Sequence, residues 1–469
     1  VKRLGGWDAV LLYSENPNSH QHTVKAGVID ASASNGSFNY HSFRRALEAR
    51  LHLLDPLRYQ LIDIPLGLHH PMWLENCDVD LDYHARRYFV RSPGDRNALD
   101  EAIGDIASTP LARDRPLWEF YFIEGLTNDR YAIVGKMHHA VADGLASANL
   151  LARALDPDIA PEDEGRAYSG DQYPSRGKLV RQAMADHVGQ IMDLPGLLRD
   201  TGAGIQRVRR NRRTVPGLAR RFAPPPTFIN HPVGPRRRFA SAIVTLTEMK
   251  ETSKKLGITI NDLVLAIGAG ALRALQLRYD DRADAPLLCG VPVSTDLSPD
   301  RISGNALGLM VISLPVDVED VLERVRLTAV ATEIGKQNNA LLGRELMSRW
   351  SNYLPPAVGT AAFSWLGRGG FRNRLVNVSI SNVPGPRVGG RIVGAPMSEL
   401  LSVGTLTFGV GLNITVWSYV DHVTFNVLED AATVNDPHEV TDAMVAEFAA
   451  IRHAAGLSSQ LSEPSSALV

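Results

Sequence analysis

Apolar positions along the chain switch repeatedly between a period of two and a helical period, which predicts strands and helices mixed through its whole length. Alternation from His20 to Asp30 predicts a first strand, and Phe43, Leu47, Leu51 and Leu54 repeat as on a helix packed against a sheet. Tyr131, Ala132, Ile133 and Val134 form an apolar, strand-like run. Leu145, Ala148, Leu151 and Leu155 then recur at helical spacing. In the second half, Leu256 and Gly257 end one helix, Thr259 to Asp262 cap the next, and Leu263 to Leu277 is apolar on one side. Leu287 to Leu297 reads as buried strand. Leu400 to Val420 is long enough by count to cross a bilayer, but Gly404, Gly409, Gly411 and Asn413 interrupt it, so paired buried strands are expected. A final helix spans Val440 to Ala454.

Breaks in this rhythm divide the chain. Asp156 to Ser175, rich in Asp, Glu, Pro and Gly, reads as an exposed connection, and Pro224 to Ala240 as an extended one. Between them, Lys178 to Phe222 reads as helical pieces broken by Pro195 and Pro216, and from Arg199 to Arg221 eight arginines face one acid, Asp200. With Leu194, Leu197, Leu198, Ile205 and Val208 beside them, these arginines suit either an anionic membrane or droplet surface, or a solvated linker face. The expected divisions are a first domain 1–175, a basic helical linker 176–223, a second domain 224–455 and a disordered tail 456–469.

Composition narrows the function classes. With 469 residues, 44% of them hydrophobic and 21% charged, the chain has the material for two sizeable domains. A net charge of -2 gives no reason to expect nucleic acid. Cys77 and Cys289 are the only cysteines and neither has a CxxC or histidine neighbour. No disulfide framework, metal or bound cofactor is expected, and a reducing, cytoplasmic setting is the simplest reading. The opening VKRLGGWDAVLL lacks a signal-peptide pattern. His20 and His22 read as a surface pair without a third metal ligand. Asp78, Asp80 and Asp82 lack the glycine and glutamate of a calcium loop and are expected at a strand edge.

The chemistry concentrates where the apolar strand meets the helix, at MHHAVADG. His138 and His139 at a strand end can project into a cleft, and a neutral imidazole suits a general base. Asp143 can orient the histidine loop, cap the following helix or pair with an arginine, which is the favoured reading; Gly144 supplies backbone freedom or room for close approach.

This stretch, HHAVADG, resembles the HHxxxDG signature of CoA-dependent acyltransferases and peptide-synthetase condensation domains, and its flanks resemble the bacterial wax ester synthase/diacylglycerol acyltransferase family. Leu4 to Glu15 is similar to the family's opening LSxxDAxFLxxE in Asp8, Ala9 and Glu15, with Gly5 where serine is usual. Pro110 to Leu126 resembles PLDRxRPLWExxxIEGL through Arg113, Arg115, Pro116, Leu117 and Trp118, and its two arginines are candidates to meet Asp143. Asn261 and Asp262 match an Asn-Asp pair; Gly304, Asn305 and Gly308 match GNxxG. Thr295 and Asp296 stand where the family has an arginine after PVS, although Arg301 lies close by. Leu375 to Pro386 is a further match, in which Asn377, Ser379 and Ser381 share one side of an extended chain, either lining a tunnel or forming an exposed polar face.

The resemblance implies an α/β fold of two chloramphenicol-acetyltransferase-like domains, each a mixed sheet with flanking helices, and a tunnel at their interface. It implies His139 as general base, His138 shaping the loop, and Ser379, Ser381 or Asn261 as oxyanion donor. The substrates implied are acyl-CoA and a lipid hydroxyl: diacylglycerol, giving triacylglycerol, or a long-chain alcohol, giving wax ester. A condensation-type, amide-forming enzyme and a non-catalytic lipid-binding or droplet protein are the alternatives.

Overall fold

The computed structural model describes residues 1–155, 171–211, 215–219, 223–366 and 375–462. Two six-stranded sheets carry it. The first runs in the order Arg391–Ile392, Ala395–Val403, His22–Asp30, Arg130–His138, Trp118–Glu124, Ala85–Phe89. The second runs Leu307–Leu314, Leu287–Ser294, Val378–Pro384, Leu412–Tyr419, His422–Asp430, Arg237–Thr245. Both mix parallel and antiparallel pairs. A three-stranded sheet of Lys2–Arg3, Met72–Leu74 and Gln60–Ile62 flanks the first.

Alternation decides which face each strand shows. On Arg130–His138, Ala132 and Val134 pack with Leu99, Ile103 and Ile106 of the helix Arg96–Ala107, while Ile133 turns toward Trp118 and the helix Gly144–Leu155. In the second sheet, Val378 and Ile380 face the helix Ile260–Tyr279. A Cβ at Gly268 would lie 2.7 Å from Ile380, so glycine lets helix and sheet approach. That helix is long and apolar enough to cross a membrane, but 72% of its apolar window is buried in the core.

The halves of the chain are interleaved. Ala395–Val403, from the second half, pairs with His22–Asp30 from Met397 opposite Ile29 to Val403 opposite Val24. Buried Glu399 on that strand forms an ion pair with Arg96 of the first half. The first sheet is therefore complete only when both halves have folded.

Several expectations change. His20 and His22 are buried and stacked on each other rather than lying on the surface. Asp80 caps the short helix Leu81–His84 through the Asp82 main-chain N–H instead of marking a strand edge. The linker forms one helix, Arg176–Arg210, which runs through Pro195: its inner face is held by the rest of the protein, which outweighs the lost hydrogen bond. The tail is ordered through Ser462, whose N–H donates to Glu248, with Leu461 packed on the second core. Residues 156–170 of the acidic connection, the linker arginines Arg212, Arg213, Arg220 and Arg221, and tail residues 463–469 lie outside the described residues. Leu400 to Val420 does form two strands, Ala395–Val403 and Leu412–Tyr419, separated by the glycine-bearing loop.

Candidate active site

The strand Arg130–His138 delivers the histidine pair. Register places His138 opposite His22, and the His138 N–H donates to Leu117 O at 2.9 Å. His138 is 1% exposed. Its Nδ1 accepts the Ala140 N–H at 3.0 Å, which puts any neutral-ring proton on Nε2, 3.7 Å from Glu15 Oε1. Burial pushes its pKa down to about 4. With its lone pair engaged and its ring enclosed, His138 shapes the loop.

His139 leaves the sheet and is half-buried. Its N–H donates to Gln21 O at 2.7 Å, and its carbonyl accepts from Asn305 Nδ2 at 2.7 Å, so the backbone is clamped on both sides. Nδ1 is buried with no hydrogen-bond partner among the described residues. Burial lowers the His139 pKa, opposed by its own main-chain carbonyl and the charge of Asp143. The ring is thus neutral at neutral pH, as a general base must be.

Asp143 fulfils two of its three readings. Its Oδ1 accepts the Ala146 N–H at 2.9 Å and caps the helix Gly144–Leu155. It also pairs with an arginine, but the partner is Arg301, at 2.9 and 3.1 Å. The Ala306 N–H adds a bond to Oδ2 at 3.0 Å, and Gly304 exchanges main-chain bonds with Val141 and Asp143. Arg113 instead pairs with Glu15 at 2.7 Å, and Arg115 with adjacent Asp114 while stacking over Tyr83 at 3.9 Å. Pro116 and Leu117 lead into the strand, where Trp118 Nε1 donates to Leu57 O at 2.7 Å.

Asn305 is a hub. Its N–H and Nδ2 both donate to Asp8 Oδ1, at 3.0 and 2.8 Å, while the same Nδ2 reaches His139 O. Burial pushes the Asp8 pKa up to about 7. Gly144 serves close approach: a Cβ there would lie 3.2 Å from Val383 Cγ2. This contact brings the end of Val378–Pro384 to the loop, with half-buried Ser379 and Ser381 on the same side of the strand as Val383. Asn377 does not belong to that polar row: it is fully buried, donating to Pro225 O and accepting from the Leu288 N–H. Nor does any described contact join Asn261 to the loop. Its helix packs on the opposite face of the second sheet, and Thr259 does the capping.

One cavity lies against the histidine strand and a second beside Glu15 and His20. The first, of 120 Å³, lies beneath the helix Gly144–Leu155 and is walled by Trp118, Phe120, Ile133, Met137, Leu150 and Leu400. Lys25 lines it, its pKa pushed down to about 8 by burial. The other, of 740 Å³, is lined by Tyr13, Glu15, His20, His69, Arg113 and Pro356 among others.

Residues 4–264 match the wax ester synthase/diacylglycerol acyltransferase catalytic domain, and residues 303–452 match the C-terminal domain of the same family. The chain belongs to the wax ester synthase/diacylglycerol acyltransferase family. It is 52% identical, over 100% of its length and 99% of the relative's, to the Mycobacterium tuberculosis protein named "Putative diacyglycerol O-acyltransferase Rv0221". In fold it is similar to the wax ester synthase/diacylglycerol acyltransferase of Marinobacter aquaeolei VT8, with TM-score 0.68 and 23% identity, covering 97% of this chain and 100% of that one. The first condensation domain of the CDA synthetase shares the architecture, with TM-score 0.57 and 15% identity over 98% of each chain. A starter condensation domain of rhizomide synthetase, solved in complex with C8-CoA, does so with TM-score 0.55 and 14% identity, over 97% of this chain and 94% of that one.

In this acyltransferase the separated motifs meet at one loop. Asp8 and Glu15 of the opening, Leu117 of the PLW stretch, and Arg301 and Asn305 of the second half all touch the His138–Asp143 segment or its direct partners. The sequence offers Asp8 and Glu15 only as motif matches and carries no mark for Gln21 or Lys25. The signal for Asp8 and Glu15 was an acid on a helix end beside buried apolar neighbours; Gln21 acts through its main chain and leaves no side-chain signal.

Proposed function

We propose that the protein is an acyl-CoA-dependent O-acyltransferase that moves a long-chain acyl group to the free hydroxyl of diacylglycerol, forming triacylglycerol. The observation that carries this reading is His139, a half-buried, neutral imidazole whose backbone is clamped from both halves of the chain. His139 takes the proton of the acceptor hydroxyl as its oxygen attacks the thioester carbonyl. The C–S bond then breaks, and the proton passes from His139 to the departing thiolate. Ser381 and Ser379 are the candidate donors to the oxyanion, since their strand reaches the loop through Val383. No acyl-enzyme is needed. Both cysteines are buried, and burial pushes the Cys289 thiol up to about 12, far from nucleophilic.

The relatives named for diacylglycerol favour that acceptor over a fatty alcohol. Use of acyl-CoA as donor supports a cytoplasmic location. Thiol release from palmitoyl-CoA, measured with diacylglycerol, hexadecanol or no acceptor, tests the reading. Release that requires an acceptor and disappears in His139→Ala supports it. A carrier-protein requirement would instead favour the condensation-type reaction whose fold it shares, and lipid binding without thiol release a non-catalytic role.

A further inference from the structure

Among the described residues, the helix Arg176–Arg210 is held along its inner side. Arg3 pairs with Asp186, His187 bonds Leu68 O at 2.7 Å, Gln190 donates to Asn352 O at 2.7 Å, Leu197 is buried, and Gly204 lies against Leu342. Its outer side carries an apolar stripe. Met184 is 54% exposed, Val188 56%, Ile191 70%, Met192 75% and Leu198 54%. At 3.6 residues per turn these positions share one face, which Asp186 and Asp193 do not occupy; Asp200 follows the stripe and is shared by Arg199, at 3.6 Å, and Arg349. Arg181 and Arg199 fall on that same face, five turns apart, one at each end of the stripe. Both are exposed.

A second observation places the helix beside the large cavity. The turn Pro65–Gly67, joined to the helix through Leu68, presents Leu66 at 95% exposure with a left-handed φ of 59°. Gly67, Ile64 and His69 beside it line the 740 Å³ cavity, as does Pro356, which follows the segment that Gln190 holds. An apolar strip bounded by arginines has the chemistry of a helix lying in a lipid interface, with cations among anionic headgroups and side chains in the acyl boundary.

We propose that the outer face of this helix, with Leu66, docks the protein on an anionic lipid surface and sets the mouth of the large cavity against it. The contact is centred on Met184–Leu198 rather than on the arginine cluster that follows Arg199. It is independent of catalysis, so it is measured without turnover.

The experiment is sedimentation of the full chain with phosphatidylglycerol/phosphatidylcholine vesicles and with phosphatidylcholine alone. The expected result is binding to the anionic vesicles that falls about 10-fold or more in Ile191→Glu and in Met192→Glu, and falls with added salt in wild type. Thiol release with an acceptor dispersed in detergent stays at the wild-type level in both variants, which shows that they fold. Undiminished vesicle binding in both variants overturns the proposal. So does a stable dimer in light scattering that Ile191→Glu dissociates, because the stripe then covers a second copy. Arg181→Gln with Arg199→Gln separates charge from apolar contact: loss of the preference for anionic vesicles is expected, and an unchanged preference overturns the headgroup assignment.

Discussion

The two ends of the His138–Asp143 loop are fixed by different parts of the chain. The histidine end hangs on neighbours from the first half: His22 across the sheet, Leu117 O, Gln21 O and Glu15. The aspartate end is latched by the second half, through Arg301, Gly304 and Ala306, and Asn305 carries the latch back to His139 O and Asp8. Strand register therefore positions His138, but the segment that carries His139 into the helix is complete only when the halves are joined. If His139 is the base, as proposed, acyl transfer gains from this arrangement, because its loop is fully held only when the halves are assembled.

The largest effect expected is on chemistry at the histidine end. His139→Ala should lower kcat by roughly 10²- to 10⁴-fold, with little change in unfolding midpoint because the ring is only half-buried. Near-normal turnover would remove His139 as the base.

Next comes the latch. Arg301→Ala strips the partner from fully buried Asp143 and should cost about 3–5 kcal/mol in denaturant unfolding. Arg113→Ala, whose side chain is 46% exposed, should cost about 1 kcal/mol or less. Equal losses in the two variants would mean that the latch is no stronger than a surface pair.

The pH response separates the two histidines. Because burial lowers the His139 pKa, the acid limb of kcat/KM should lie below the ordinary histidine value of ~6.5. His138 is also depressed, so its contribution to stability is fully present above ~6.5 and is lost as pH falls toward about 4. In His138→Asn, whose Oδ1 can replace Nδ1 as acceptor, thermal stability should fall less steeply over that window. A slope identical to wild type would show that His138 does not titrate there.

The smallest effect tests how closely the serine strand meets the loop. Gly144→Ala puts a Cβ 3.2 Å from Val383 Cγ2 and should cost about 1 kcal/mol. Val383→Ala in the same chain should return part of it. A double variant no better than the single one would argue that the crowding lies elsewhere.

Much of this was legible beforehand for a definite reason. The strand, the histidine pair and the helix after Gly144 are local patterns, and Thr259 with Asp262 announced a capping box that the structure contains. Most of the readings that failed involved partners far away in the chain. Asp143 was expected to meet an arginine, but Arg113 and Arg115 satisfy Glu15 and Asp114, leaving Arg301 to cross from the other half. Asn377 shares the strand's polar parity with Ser379 and Ser381, yet neighbouring loops bury it.

The sequence by itself determined the mixture of strands and helices and the loop that bears the histidine pair, because periodicity and side-chain chemistry act over a few residues. Only the tertiary structure decided which arginine latches Asp143, that Asn305 and Asp8 brace His139, and that the linker is one helix with an apolar outer face. Those choices depend on which distant groups are left unpaired once the two sheets have closed on each other, and a buried charge or amide accepts whichever partner the packing brings within about 3 Å.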